Sequence, residues 1–198
     1  MPNNASGPKN ASVPSGVVVM PPDDLVGRLV EDHRAIASRF TEFHRLGTEG
    51  RAEWFWKLTD QLVRHEVAEE LIVYPVLREI PGGVGVADAR IAEQAEAECR
   101  LAQMESLDPT SDEFAVEQAR LMVAVLNHAE REESEAFRLL PENVSSERLI
   151  ALGNRYAAAR NIAPTHPHTR LPDEPPGNKV AQPLAALIDR VRDAVSGV

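Results

Sequence analysis

Arg64-His65-Glu66-Val67-Ala68-Glu69-Glu70 and Asn127-His128-Ala129-Glu130-Arg131-Glu132-Glu133 share the pattern His-x-x-x-Glu-Glu. On an α-helix, residues four apart lie one turn above one another, roughly 6 Å along the axis, so each His and its Glu project from one face. Two such helices facing each other bring two imidazoles and two carboxylates to one small volume, which is the donor set of a metal site. One His-x-x-x-Glu carries little weight in a chain with 31 acidic residues among 198. The repeat carries more, because both copies fall in the register of apolar residues, where an unpaired carboxylate is costly unless a cation or strong donors meet it. The competing reading is a solvated acidic helix face, which Glu130, Glu132, Glu133 and Glu135 partly fit.

The elements that must position these residues are helices. Residues 1–22, rich in Asn, Ser, Gly and Pro, predict a disordered tail. A first helix is expected from residue 23 or 24 to 47, where Pro21-Pro22 precedes an acidic N-cap, with Leu25, Leu29, Ile36, Phe40 and Phe43 on one face. His33 is four after Leu29 and three before Ile36, so it shares that buried stripe. After the Gly47-Thr48-Glu49-Gly50 turn, a second helix carries Phe55, Leu58, Leu62, His65, Glu69, Val73 and Val76 in line. Pro81-Gly82-Gly83 breaks the chain, and a third helix is expected over 86–107 with Ile91, Gln94, Glu98 and Leu101 in register. Asp108-Pro109-Thr110-Ser111 turns and caps a fourth, which aligns Phe114, Leu121, Val125, His128 and Glu132.

Four amphipathic helices with short connections predict an all-α, up-down-up-down four-helix bundle over 23–141, whose interior can build a metal site from facing side chains. Residues 142–198 read as a C-terminal extension: a short helix over about 145–160, a proline-rich segment, and an amphipathic stretch through Leu184, Leu187, Ile188, Val191 and Val195. That last stretch can dock on the bundle or on a second copy, so both monomer and homodimer are open.

Composition narrows the function classes. With 43% apolar residues the chain can fill one sizeable core, and its net charge of −10 argues against a nucleic-acid or anionic membrane surface. No stretch is long enough to span a bilayer, and Val17-Val18-Val19-Met20 falls short of the roughly 7–15 apolar residues of a signal peptide. The single cysteine, Cys99, reads as a small core residue in a cytoplasmic protein. His44 reads as a helix-end residue, and Trp54, Phe55 and Trp56 as core and bundle-end packing. His166 and His168 share one side of an extended run, in a packing role or as an auxiliary metal clip. Tyr74, just before Pro75, is a candidate phenolic donor towards the site.

His33 in Glu31-Asp32-His33, the run His65-x-x-x-Glu69-Glu70 followed by Tyr74-Pro75, and His128-x-x-x-Glu132-Glu133 together resemble the hemerythrin-like, or HHE cation-binding, family over roughly residues 24–141. The resemblance implies a four-helix bundle with a non-haem di-iron centre, with or without an oxo bridge. It makes His33, His65 and His128 terminal ligands, and Glu69 and Glu132 bridging carboxylates. One departure stands in helix three, where Gln94 in Ala92-Glu93-Gln94-Ala95-Glu96 takes the place of a family histidine. Glu66, Glu98, Tyr74 or water is then expected to complete the coordination, which adds Glu66 to the candidate ligands. An added carboxylate or phenolate favours ferric iron and redox chemistry over reversible O2 carriage.

The leading expectation is therefore a di-iron protein that binds or reacts with O2, peroxide or nitric oxide. Two others remain open: a metal- or redox-dependent sensor acting through the C-terminal segment, and a metal-free bundle that serves as a scaffold.

Overall fold

The computed structural model describes residues 23–163, which form an all-α bundle. Helix α1 (Leu25–Phe43) is capped by Asp24, whose carboxylate accepts from the Gly27 N–H at 2.7 Å. A 3-10 turn (Thr48–Gly50) leads into α2 (Arg51–Glu79), which passes through Pro75 and stops where Gly82 takes a left-handed φ of 77°. Then come α3 (Gly83–Glu105) and α4 (Asp112–Arg131), the latter capped by the Ser111 hydroxyl. Helical backbone continues through a π turn (Glu132–Ala136) into α5 (Phe137–Asn143), and α6 (Ser146–Ile162) follows with Ser145 as its cap.

The core has two apolar layers with a polar layer between them. One layer holds Leu29, Ile72, Val73, Ala87, Ala136 and Leu140; the other holds Ile36, Leu62, Ala97, Leu121 and Val125. In between, each of the first four helices buries polar groups: His33 on α1, His65, Glu66 and Glu69 on α2, Gln94 on α3, and His128 with Glu132 at the end of α4. Successive helices cross the layers in alternating order, so the chemical residues of all four meet at mid-height. The cost of burying so many polar groups in one layer must be met by partners or a ligand.

Helix α6 is more than a surface appendage. It packs on α1 and α2, and buries Leu149, Leu152, Tyr156 and Ala159 in the first apolar layer. Its approach to α1 is close at Gly153, where an added Cβ would sit 2.8 Å from the Asp23 carbonyl oxygen. We therefore expect Gly153→Ala to destabilise the fold by about 1–3 kcal/mol, the usual cost of overpacking, read as a lowered melting temperature. An unchanged melt would show that α6 is not pressed against α1.

The inner stripe of α3 differs from expectation. Ala87, Arg90, Gln94, Ala97, Leu101 and Met104 are buried, while Ile91, Glu98 and Cys99 are only half-buried. The buried residues follow a 3.6 period, which places Ile91 and Cys99 on the flank of the helix. Trp54 and Phe55 are buried, but Trp56 is 46% exposed because it sits one position off their stripe. His44 lies exposed at the C-cap of α1. The expected tail over 1–22, His166, His168 and the Leu184 to Val195 residues lie outside the described residues. Among the described residues, no helix is long and apolar enough to cross a membrane.

Candidate metal centre

Ligand atoms of His33, His65, Glu69 and Glu132 all lie within 4.8 Å of one another, and all four residues are buried. The Nε2 of His33 is 3.3 Å from Glu132 Oε2, and the His65 Nε2 is 3.2 Å from Glu69 Oε1. The His128 Nε2 comes within 3.4 Å of the same Glu132 oxygen. Glu132 thus stands between two imidazoles on different helices. It begins the π turn, and the extra residue per turn there alters which side chains of this rod face inwards.

Each imidazole is oriented through its other nitrogen. The Nδ1 of His33 meets Glu133 Oε1 at 2.9 Å, and the Nδ1 of His128 meets Glu93 Oε2 at 3.1 Å. An ionised carboxylate can only accept, so these two histidines donate from Nδ1 and turn an Nε2 lone pair to the centre. Glu93 is itself held by Arg90 at 2.9 Å and by Arg131. The His65 Nδ1 is 2.8 Å from the Tyr156 hydroxyl, which donates to Asp32 Oδ2 at 2.7 Å. Among the carboxylates, Tyr74 donates to Glu132 Oε1 at 2.9 Å, and the Gln94 amide donates to Glu69 Oε2 at 2.7 Å.

The electrostatics without a cation are those of crowded acids. Burial, then the neighbouring Glu132, pushes the Glu69 carboxyl well above its ordinary range. Burial, then Glu98, Glu70 and Glu132, does the same to Glu66. Burial also opposes ionisation of Glu132, but the adjacent His33 and His128 imidazoles outweigh it and hold that carboxyl low. The two carboxyls of the Glu69 and Glu132 pair are thus pushed in opposite directions. Burial lowers the His65 pKa, whereas His33 is raised because Glu132 and Glu133 outweigh its burial.

A buried cation would resolve what this arrangement leaves unpaired. His33 Nε2, His128 Nε2, Glu69 Oε1, Glu132 Oε2 and Glu66 Oε2 are all buried with no hydrogen-bond partner. Buried polar atoms are nearly always paired, so several orphans converging on one place point to a ligand. Imidazole nitrogens with carboxylate oxygens suit iron, manganese or zinc. The residues present fit a metal.

The family model described as the hemerythrin HHE cation-binding domain matches residues 24–140. The chain belongs to this family. An uncharacterised hemerythrin-like protein of Schizosaccharomyces pombe is 27% identical over 168 residues, 83% of each chain. A DNA nickase of a Nostoc species is 29% identical over 131 residues, which are 66% of this chain but 37% of the nickase. No solved structure matches the chain significantly. This is a hemerythrin-like cation-binding domain with a buried His and Glu group able to hold a metal.

Against the sequence expectation, His33, His65, Glu69 and Glu132 of this hemerythrin-like site come together tightly, and His128 faces them across Glu132. Glu66 is buried beside the group without being part of its tight cluster. Gln94 fills the helix-three position as a hydrogen-bond donor to Glu69, with its own Oε1 unpaired. Glu98 is half-buried, and burial followed by Glu70 raises its carboxyl to about 7. Tyr74 does lean on the site, through Glu132. Sequence reasoning gave no role to Asp32, Glu93, Glu133, Tyr156 or Arg160. Of these, Tyr156 had a usable signal: it shares a stripe with Leu149, Leu152 and Ala159, and a buried Tyr hydroxyl demands a partner.

Proposed function

We propose that these residues hold a non-haem di-iron centre that binds or reacts with a small oxidant: O2, peroxide or nitric oxide. The observation that carries the reading is the convergence of unpaired, buried Nε2 and Oε atoms from α1, α2 and the end of α4. His33 and His65, whose rings lie 5.0 Å apart edge to face, would offer imidazole ligands to the iron. His128, Glu66, Glu69 and Glu132 would complete the donor set for the pair. When bound, iron supplies the electrons and the Lewis acidity.

The chain supplies the rest. A cavity of about 20 Å³ adjoins the histidines, lined on its apolar side by Ile36, Leu62, Ala97 and Val125 and on its polar side by His33, His65, Glu66 and His128. That is room for a molecule about the size of water or of a small oxidant. The small volume suits ligands of this class, and its apolar walls limit contact of the centre with bulk water. Gln94 and Tyr74 tether the Glu69 and Glu132 carboxylates, so neither can swing away when a ligand enters.

Rapid mixing tests the reactivity. Iron-loaded protein, reduced without oxygen and then mixed separately with O2, hydrogen peroxide and nitric oxide, should change its optical spectrum with at least one of them. Inertness towards all three would remove the oxidant reading while leaving the metal site standing.

A further inference from the structure

Tyr156 is 1% exposed, and its hydroxyl lies 2.7 Å from Asp32 Oδ2 and 2.8 Å from His65 Nδ1. The other oxygen of Asp32 pairs with the Arg160 guanidinium at 2.9 Å, so this carboxylate is charged and can only accept. A phenol has one hydrogen. It goes to Asp32, which leaves the phenol oxygen to accept a hydrogen from His65 Nδ1. That fixes one tautomer of His65, with its Nε2 lone pair turned towards the centre, 3.2 Å from Glu69 Oε1.

His33 and His128 each have a carboxylate directly on Nδ1, from Glu133 and Glu93. On His65 the carboxylate acts at one remove, because Asp32 is 3.7 Å from Nδ1 and the phenol stands between. The helix that brings the phenol is anchored next to its target. Arg64, the residue before His65, donates to the Arg160 backbone carbonyl at 3.1 Å, and Gly153 presses α6 against the start of α1. Helix α6 begins after residue 140, where the family match ends.

We infer that Tyr156, anchored by Asp32 and Arg160, is a positioning residue that holds His65 in the metal-binding tautomer, so that α6 belongs to the metal-binding unit of this chain. The inference rests on the reading of the site as a metal centre. Partners of this kind are worth roughly 10–100-fold in metal affinity.

The experiment uses the full chain and its Tyr156→Phe variant, which keeps the ring and removes only the hydroxyl. Nitrogen-15 NMR of the metal-free wild type should show His65 protonated at Nδ1, and the variant should lose that preference. Ferrous iron should bind the variant about 10–100-fold more weakly. A wild-type His65 protonated at Nε2 overturns the inference, even if the variant fails to fold. So does a variant whose His65 tautomer and iron affinity are both unchanged. A wild type that takes up no iron removes the proposed function and this role with it, whereas unchanged affinity in the variant removes the role alone.

Discussion

Replacing Glu132 with Ala is expected to abolish iron retention, with affinity falling about a hundredfold or more, since losing even an outer partner of a ligand costs roughly 10–100-fold. This carboxylate lies against the Nε2 atoms of His33 and His128 and accepts from Tyr74, so its loss strips three helices of a common partner. The metal-free variant should also be less stable, because His33, His128 and the Tyr74 hydroxyl are left buried without it. Glu69→Gln separates the two effects. Burial and Glu132 push the Glu69 carboxyl towards its neutral form in the metal-free chain, and an amide mimics that form. Iron should be lost again, yet the metal-free melt should match or exceed wild type. Iron per chain after desalting, with melts of chelated samples, reads both; a Glu132→Ala chain that keeps its iron would show that the carboxylate is no ligand.

Removing the metal should have the second large effect. A ligand present at about a hundred times its dissociation constant stabilises the native state by about 2.7 kcal/mol, which for a chain of this size is a melting shift of roughly 5–10 °C. The shift should grow with pH. Glu66, Glu69 and Glu98 have raised pKa values in the fold, so their stability is fully present below the unfolded carboxylate value of 4.5 and is lost as pH rises through the folded value, about 7 for Glu98. Glu132 has the opposite sign, losing its contribution only as pH falls through its depressed value of about 2. His33, also raised, has the same sign as the raised acids, whereas His65, lowered by burial, gains stability up to its ordinary value of 6.5. From about pH 6.5 to about pH 8 the raised groups therefore decide, and the metal-free chain weakens. The cation compensates the same charges, and its affinity rises as the ligands deprotonate. Melts with and without chelator across this range check the claim; a gap that narrows with rising pH would contradict it.

The bundle was legible because α1, α2 and α4 carry long apolar stripes and the helices lie between strong caps and breaks. Asp24 and Ser111 cap where expected, and Gly82 breaks α2 where Pro81-Gly82-Gly83 signals a stop. The site was legible to the extent that it lies along single helices, since His65 with Glu69 and His128 with Glu132 are one-turn pairs in the core register. Contacts between distant segments were not. Tyr156 meets Asp32 across 124 positions and Glu133 meets His33 across 100, and no local spacing encodes such meetings. The α3 stripe misled because its small residues bury as well as large ones, which left the apparent importance of Ile91 and Glu98 too high. The π turn at Glu132 was likewise invisible to a regular 3.6 period.

The most direct test of the central claim is metal analysis of the full chain, purified from iron-replete cells, together with its optical spectrum. The account predicts about two irons per chain and the bands of a coupled diferric pair. Negligible iron, with the histidines and carboxylates intact, would contradict it.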